Sequence, residues 1–142
     1  MRRLLVAFML MCFACGLCAC KSEAVKAVEQ QISDIVVSED SGTAIAASRK
    51  AYDALTDKEK KAVANYDSLV EAEASYDKIF ADRVTEIIAK IGAIDENSGT
   101  AIEAARNAYD SLSKSQKQLV GNFDSLISAE KEYEDYMVCL CG

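Results

Sequence analysis

Four polar residues recur in pairs along the chain: Arg49 with Arg106, Asp53 with Asp110, Asp67 with Asp124 and Glu73 with Glu130. An arginine near carboxylates can orient an anionic substrate, or it can simply lay its planar fork across a carboxylate and tie two elements together. Catalytic use would need a cleft and a group titrating near neutrality. The sequence contains no histidine, so the common Cys-His and Ser-His-Asp arrangements are unavailable. Cys139-Leu-Cys141 offers two thiols, too few for a zinc site without histidine. A strained disulfide, an intermolecular bridge and free thiols on a frayed tail all remain open for that pair. Asp95-Glu-Asn-Ser-Gly99 begins like a calcium loop, but its fifth position is Gly99 and its twelfth is Arg106, where such a loop needs oxygen ligands. The residues therefore predict no catalytic centre, no metal and no cofactor. Arg49, Asp53, Glu73, Arg106, Asp110 and Glu130 are read as structural polar residues at the edges of a core.

The elements that carry these residues are written twice. Ala51-Tyr-Asp-Ala-Leu55, the Thr56–Glu59 segment and Asn65-Tyr-Asp-Ser-Leu69 return as Ala108-Tyr-Asp-Ser-Leu112, Ser113–Gln116 and Asn122-Phe-Asp-Ser-Leu126, with Tyr109 lying 57 residues after Tyr52. A fixed period of this size marks tandem copies of one supersecondary unit. Val25, Val28, Ile32, Ile35 and Val36 make an apolar stripe at helical spacing, and Val84, Ile87, Ile88 and Ile91 make its counterpart. Each stripe ends in a polar loop where Ser41 or Thr43, and Ser98 or Thr100, are candidate caps for a second helix. Thr100 with Glu103 reads as a capping box for that helix, and Thr56/Glu59 and Ser113/Gln116 read as boxes opening a short third one. Asn65 and Asn122 suit left-handed or capping positions. Residues 68–91 contain neither glycine nor proline. They predict one continuous helix shared by both copies, with a slip in the apolar stripe at Ile79/Phe80 and a length of roughly 36 Å. Tyr52, Tyr66, Tyr76, Tyr109 and Tyr133 sit mostly on the stripes, as core residues whose hydroxyls reach the surface.

The 142 residues carry 16 Lys+Arg against 23 Asp+Glu, a formal charge of −7, and no proline. An acidic chain lacks the basic face that nucleic acid or anionic lipid requires. The absence of proline favours long helices. The predicted fold is all-α: two tandem three-helix bundles sharing a connecting helix, with repeat one over residues 20–80, repeat two over 81–138 and a frayed tail at 139–142.

The start of the chain differs in kind. Met1-Arg-Arg precedes a nearly unbroken apolar run from Leu4 to Leu17, and Lys21-Ser-Glu ends it. This is the layout of a secretory signal peptide, and the run is shorter than the about 20 residues a membrane-spanning helix needs. Leu17-Cys-Ala-Cys20 resembles the lipobox of bacterial lipoproteins, with Cys18 where a small or hydroxyl residue is commoner. The resemblance implies removal of residues 1–19 and lipid attachment to the Cys20 thiol. Two or more acyl chains then hold a protein stably on a bilayer, at about 0.8 kcal/mol per buried methylene.

The repeat itself, Ala44-Ile through Arg49, Ala51-Tyr-Asp-x-Leu55, Thr56 and Asn65-Tyr-x-x-Leu69-x-x-Ala-Glu73, resembles a helical repeat of extracellular proteins of Gram-positive bacteria. That resemblance covers nearly all of the chain after Cys20 and implies a spacer or interaction module without catalysis. Copy two departs from copy one by Ser113 for Thr56 and Phe123 for Tyr66. The combined expectation is a lipid-anchored protein on the extracytoplasmic face of a cell membrane, partnered by the bilayer through Cys20 and not by nucleic acid. Two further expectations stand beside it: a small ligand-binding lipoprotein with a pocket between the bundles, and a self-associating rod.

Overall fold

The computed structural model describes residues 21–141, and these are all-α, with no strand among them. The segment 1–19 and Cys20 lie outside the described residues. Helix α1 (Glu23–Ser33) starts where Ser22 Oγ accepts the backbone N–H of Val25, an N-cap that satisfies one of the unpaired donors of the first turn. It buries Val25, Val28 and Ile32. A 3-10 turn (Glu39–Ser41) then leads into α2 (Gly42–Asp53), the single turn α3 (Asp57–Lys60) and α4 (Tyr66–Ala89). The second copy follows as α5 (Gly99–Asp110), the single turn α6 (Lys114–Lys117) and α7 (Phe123–Cys141). Both single turns begin in capping boxes, Thr56 with Glu59 and Ser113 with Gln116, in which side chain and backbone of each pair bond reciprocally.

Helix α4 belongs to both cores. Leu69 and Ala72 close the first, with Val25, Val28, Ile32, Ile45, Leu55 and Val63. Ala81, Val84 and Ile88 open the second, with Ile102, Ala105, Leu112, Val120, Leu126 and Ala129. Leu69 and Leu126 occupy equivalent places and are wholly buried. Each such leucine contributes about 1.5–3 kcal/mol relative to an exposed one. Polar ties cross from one unit to the other along α4: Arg83 pairs with Glu39, and Gln116 Nε2 donates to Asp77 Oδ1 at 3.0 Å.

The structure corrects several details. The buried triplet of the second copy's opening helix is Ala81, Val84 and Ile88, with Ile87 and Ile91 only packed against the core's edge. It lies 56 residues after Val25, Val28 and Ile32, while every later core position is displaced by 57, so copy two has one extra residue in the loop that follows. That loop contains Gly92, whose φ of +69° is the left-handed geometry that ends a helix without steric cost. Helix α5 starts at Gly99, and Ser98 Oγ is drawn into the preceding loop, accepting from Asp95 N–H at 2.9 Å. The expected Thr100/Glu103 box therefore does not form, because both residues already lie inside the helix. Asn65 and Asn122 precede α4 and α7 but make no side-chain cap. Their amides reach sideways: Asn65 Nδ2 donates to the Glu29 carbonyl and Asn122 Nδ2 to that of Thr85, each at 2.9 Å. At the far end α7 continues helically through Cys141, past the point at 139 where the sequence predicts a frayed tail.

Candidate functional site

The recurring arginine and glutamate meet in each repeat. In the first, Arg49 on α2 grips Glu73 on α4 with both arms of the fork, Nε to Oε1 at 2.7 Å and Nη2 to Oε2 at 2.6 Å. Its remaining arm, Nη1, donates to the Tyr66 hydroxyl at 3.2 Å. Tyr66 stacks on Tyr52 with ring centroids 4.4 Å apart, and the guanidinium carbon stands 5.3 Å from the Tyr66 centroid and 5.7 Å from that of Tyr52. Lys60 approaches the Tyr52 ring at 5.8 Å. Flat rings offer negative faces to cations, so the stack and its cations attract one another beyond simple area burial.

Repeat two builds the same cluster with one atom fewer. Arg106 grips Glu130 at 2.6 and 2.5 Å, and Tyr109 stacks on Phe123 at 4.0 Å. Lys117 lies over the Tyr109 ring at 5.4 Å, and Arg106 over that of Phe123 at 5.3 Å. Phe123 has no hydroxyl to receive the third arm, and Arg106 Nη1 stands 3.9 Å from Asp110 Oδ1. Asp53, the counterpart of Asp110, is exposed and has no hydrogen-bond or ion-pair partner among the described residues. The structure thus brings together five of the six polar residues singled out in the sequence and leaves Asp53 aside. Both guanidinium groups hold their protons more tightly than usual, first because of the hydrogen bonds they donate to Glu73 or Glu130, with partial burial opposing.

Each glutamate spends both oxygens on its arginine. The four side chains pin α2 to α4 and α5 to α7 by charge-assisted bidentate bonds about 30% exposed to solvent. A second device recurs beside it. Tyr76 crosses closely over Gly42, and Tyr133 over Gly99, where an added Cβ would stand 2.6 Å from the Tyr133 hydroxyl. Glycine begins α2 and α5 because a ring passes over those backbones. Sequence reasoning assigns the lysines no contact with the rings and the glycines no packing role. Lys60 with Lys117 and Gly42 with Gly99 keep the 57-residue period, and that recurrence was the available signal.

No known protein family, curated protein or solved structure matches the chain. The repeats are therefore characterised by their own residues. Among the described residues no group of three or more Cys, Asp or Glu could hold a metal ion, and no helix is long and apolar enough to cross a membrane. Four surface depressions, of about 330 to 610 Å³, are each lined by residues of repeat one. Cys139 is exposed with a free thiol.

Proposed function

We propose that this protein is a lipid-anchored extracytoplasmic lipoprotein, held on a membrane by acyl chains on Cys20, whose two helical repeats serve as a non-catalytic interaction or spacer module. The observation that carries the reading is the order of events at the start of the chain. A basic leader, an apolar run and a lipobox-like Leu17-Cys-Ala-Cys20 are followed within two residues by Ser22, the N-cap of α1. A chain processed before Cys20 would keep every described residue and would carry its lipid two residues before Ser22, the cap of α1. The bidentate Arg–Glu clusters favour a module that presents surfaces over one that transforms a substrate. The resemblance of the repeats to those of Gram-positive surface proteins points the same way.

Acyl-chain labelling in cells, with membrane fractionation, tests the anchor. The wild-type chain is expected to take label and sediment with membranes, and Cys20→Ala to do neither. An unlabelled, soluble wild-type protein would remove the anchor from the reading and leave a diffusible module.

A further inference from the structure

We infer that the end of repeat one formed by the start of α1 and the turn α3 lies against the bilayer, at its phosphate-bearing headgroups, with repeat two on the side away from the membrane. The inference rests on the Cys20 anchor proposed above and adds where that anchor puts the folded chain. It follows from a length. Cys20 is bonded directly to Lys21, and Ser22 is already the cap of α1. Two fully extended residues span at most about 7 Å. The headgroup layer is about 5–8 Å deep on each side of a bilayer. The two lengths are comparable, so a chain whose lipid enters the hydrocarbon begins its first helix at the headgroups themselves.

Nor is the connection slack. Lys21 pairs with Glu29, and Ser22 Oγ donates to Glu59 Oε1 at 2.8 Å, so both residues that follow the anchor are held against the fold. The second of these bonds also fixes which face is turned to the lipid. It brings α3 beside the start of α1, with Lys58 and Ala62 on the groove between them. From there the chain leads away. Ala64 N–H donates to the Glu29 carboxylate and Asn65 Nδ2 to the Glu29 carbonyl, while Glu39, beyond the far end of α1, pairs with Arg83 on α4. The second core, opened by Ala81, Val84 and Ile88, therefore lies past the end of α1 that is remote from Cys20. The charges near the anchor permit the contact. Glu23 is engaged by Lys26, Glu29 by Lys21, and Glu59 by Ser22 and Thr56. Lys58 and Lys61 are exposed and pair with no carboxylate among the described residues, with Asp57 the one unengaged acid on the same turn. Lysine stems of this kind lie along an interface and keep the ammonium in water. No attraction to anionic lipid is required, because the tether alone sets the contact.

Fluorescence quenching from the membrane surface decides the matter. The chain is purified from cell membranes with Cys139→Ser and Cys141→Ser, and placed on phosphatidylcholine vesicles that carry a nitroxide on the headgroup. A fluorophore sits on Ala62→Cys or on Leu119→Cys, two exposed positions one period apart. Quenching is expected to be several-fold stronger at 62 than at 119. Inserting about twelve Gly and Ser residues between Cys20 and Lys21, a coil of roughly 20 Å, should bring the two probes to equality while the protein still floats with the vesicles. Equal quenching of both probes without the insertion overturns the placement, and so does quenching at 62 that survives the insertion. A chain that takes no acyl label and does not float overturns the anchor, and the placement with it. That result differs visibly from a labelled, floating chain with both probes in water.

Discussion

The two repeats place the same arginine–glutamate fork on the same pair of stacked rings, yet they finish the job with different atoms. Repeat one gives the third guanidinium arm a tyrosine hydroxyl, and its Asp53 points into solvent without a partner. Repeat two has lost that hydroxyl to Phe123, and an aspartate one turn along the same helix stands in at 3.9 Å. The difference teaches that both repeats keep the bidentate grip on glutamate, while the third arm finds a hydrogen bond in repeat one and only a looser ion pair in repeat two. A second contrast lies at the helix that opens each unit. Around α1 the ties are carboxylates: Glu29 pairs with Lys21 and accepts the Ala64 N–H, and Glu59 accepts from Ser22 and Thr56. At the same places repeat two has Thr85 and Gln116, which do not titrate.

These contrasts can be pressed experimentally. The largest effect concerns what the repeats share. Leu69→Ala and Leu126→Ala each empty a fully buried site and should each cost about 2–5 kcal/mol. Because α4 runs through both cores, each is expected to lower one common thermal transition, seen by calorimetry. Two separate transitions would show that the units fold independently, and losses differing by more than about 2 kcal/mol would show that the cores are unequal.

Exchanging the rings should move the smaller difference from one repeat to the other. Tyr66→Phe removes a hydrogen bond to a charged donor, a loss of about 1 kcal/mol, and turns repeat one into a copy of repeat two in which Asp53 is free to take the arm. Phe123→Tyr should leave Asp110 dispensable. Chemical denaturation of Tyr66→Phe with and without Asp53→Ala measures the coupling. Additive losses would mean that Asp53 cannot play the part of Asp110.

The mildest test is acid. Glu29 is held below the usual carboxylate value of 4.5, first by its hydrogen bond with Lys21, and Glu59 likewise by its hydrogen bond with Thr56. A carboxylate depressed in the folded state stabilises it above its unfolded value and loses that contribution as pH falls through the folded one. Between pH 5 and 3, at about the ordinary carboxylate value and below it, amide signals around α1 and α3 should broaden or shift before those around α6. Glu59→Gln, which gives repeat one the box of repeat two, should shrink the gap between them. Simultaneous loosening of both units would remove the contrast.

Much of the fold could be read directly from residue types. Two capping boxes, the period of 57 and the unbroken stretch ending near Gly92 suffice to place helices, since each rests on local chemistry. The Arg–Glu pairing could be anticipated because both partners recur together. What stayed hidden depended on neighbours distant in sequence. Ala81 is wholly buried, yet an alanine adds little to an apolar stripe, so the sequence pattern finds Val84 and Ile88, misses Ala81 and adds the bulkier Ile87 and Ile91 from the core's edge. Asn65 and Asn122 carry every mark of helix caps, and only tertiary packing reveals that their amides bind carbonyls of another helix. The isolation of Asp53 was equally illegible, because it follows from a hydroxyl present on Tyr66 and absent from Phe123.

The shared helix has a consequence for how the chain comes into being. The last residues that seal the first core are Leu69 and Ala72, and Tyr76 follows within a turn. A polypeptide delivered N-terminus first therefore completes one finished unit before any of α5 has appeared. The growing end then already carries the rest of α4, with Ala81, Val84 and Ile88 awaiting cover. Each unit so made hands the next a preformed template, and the second unit, in closing on α4, holds fast the helix on which the first one rests.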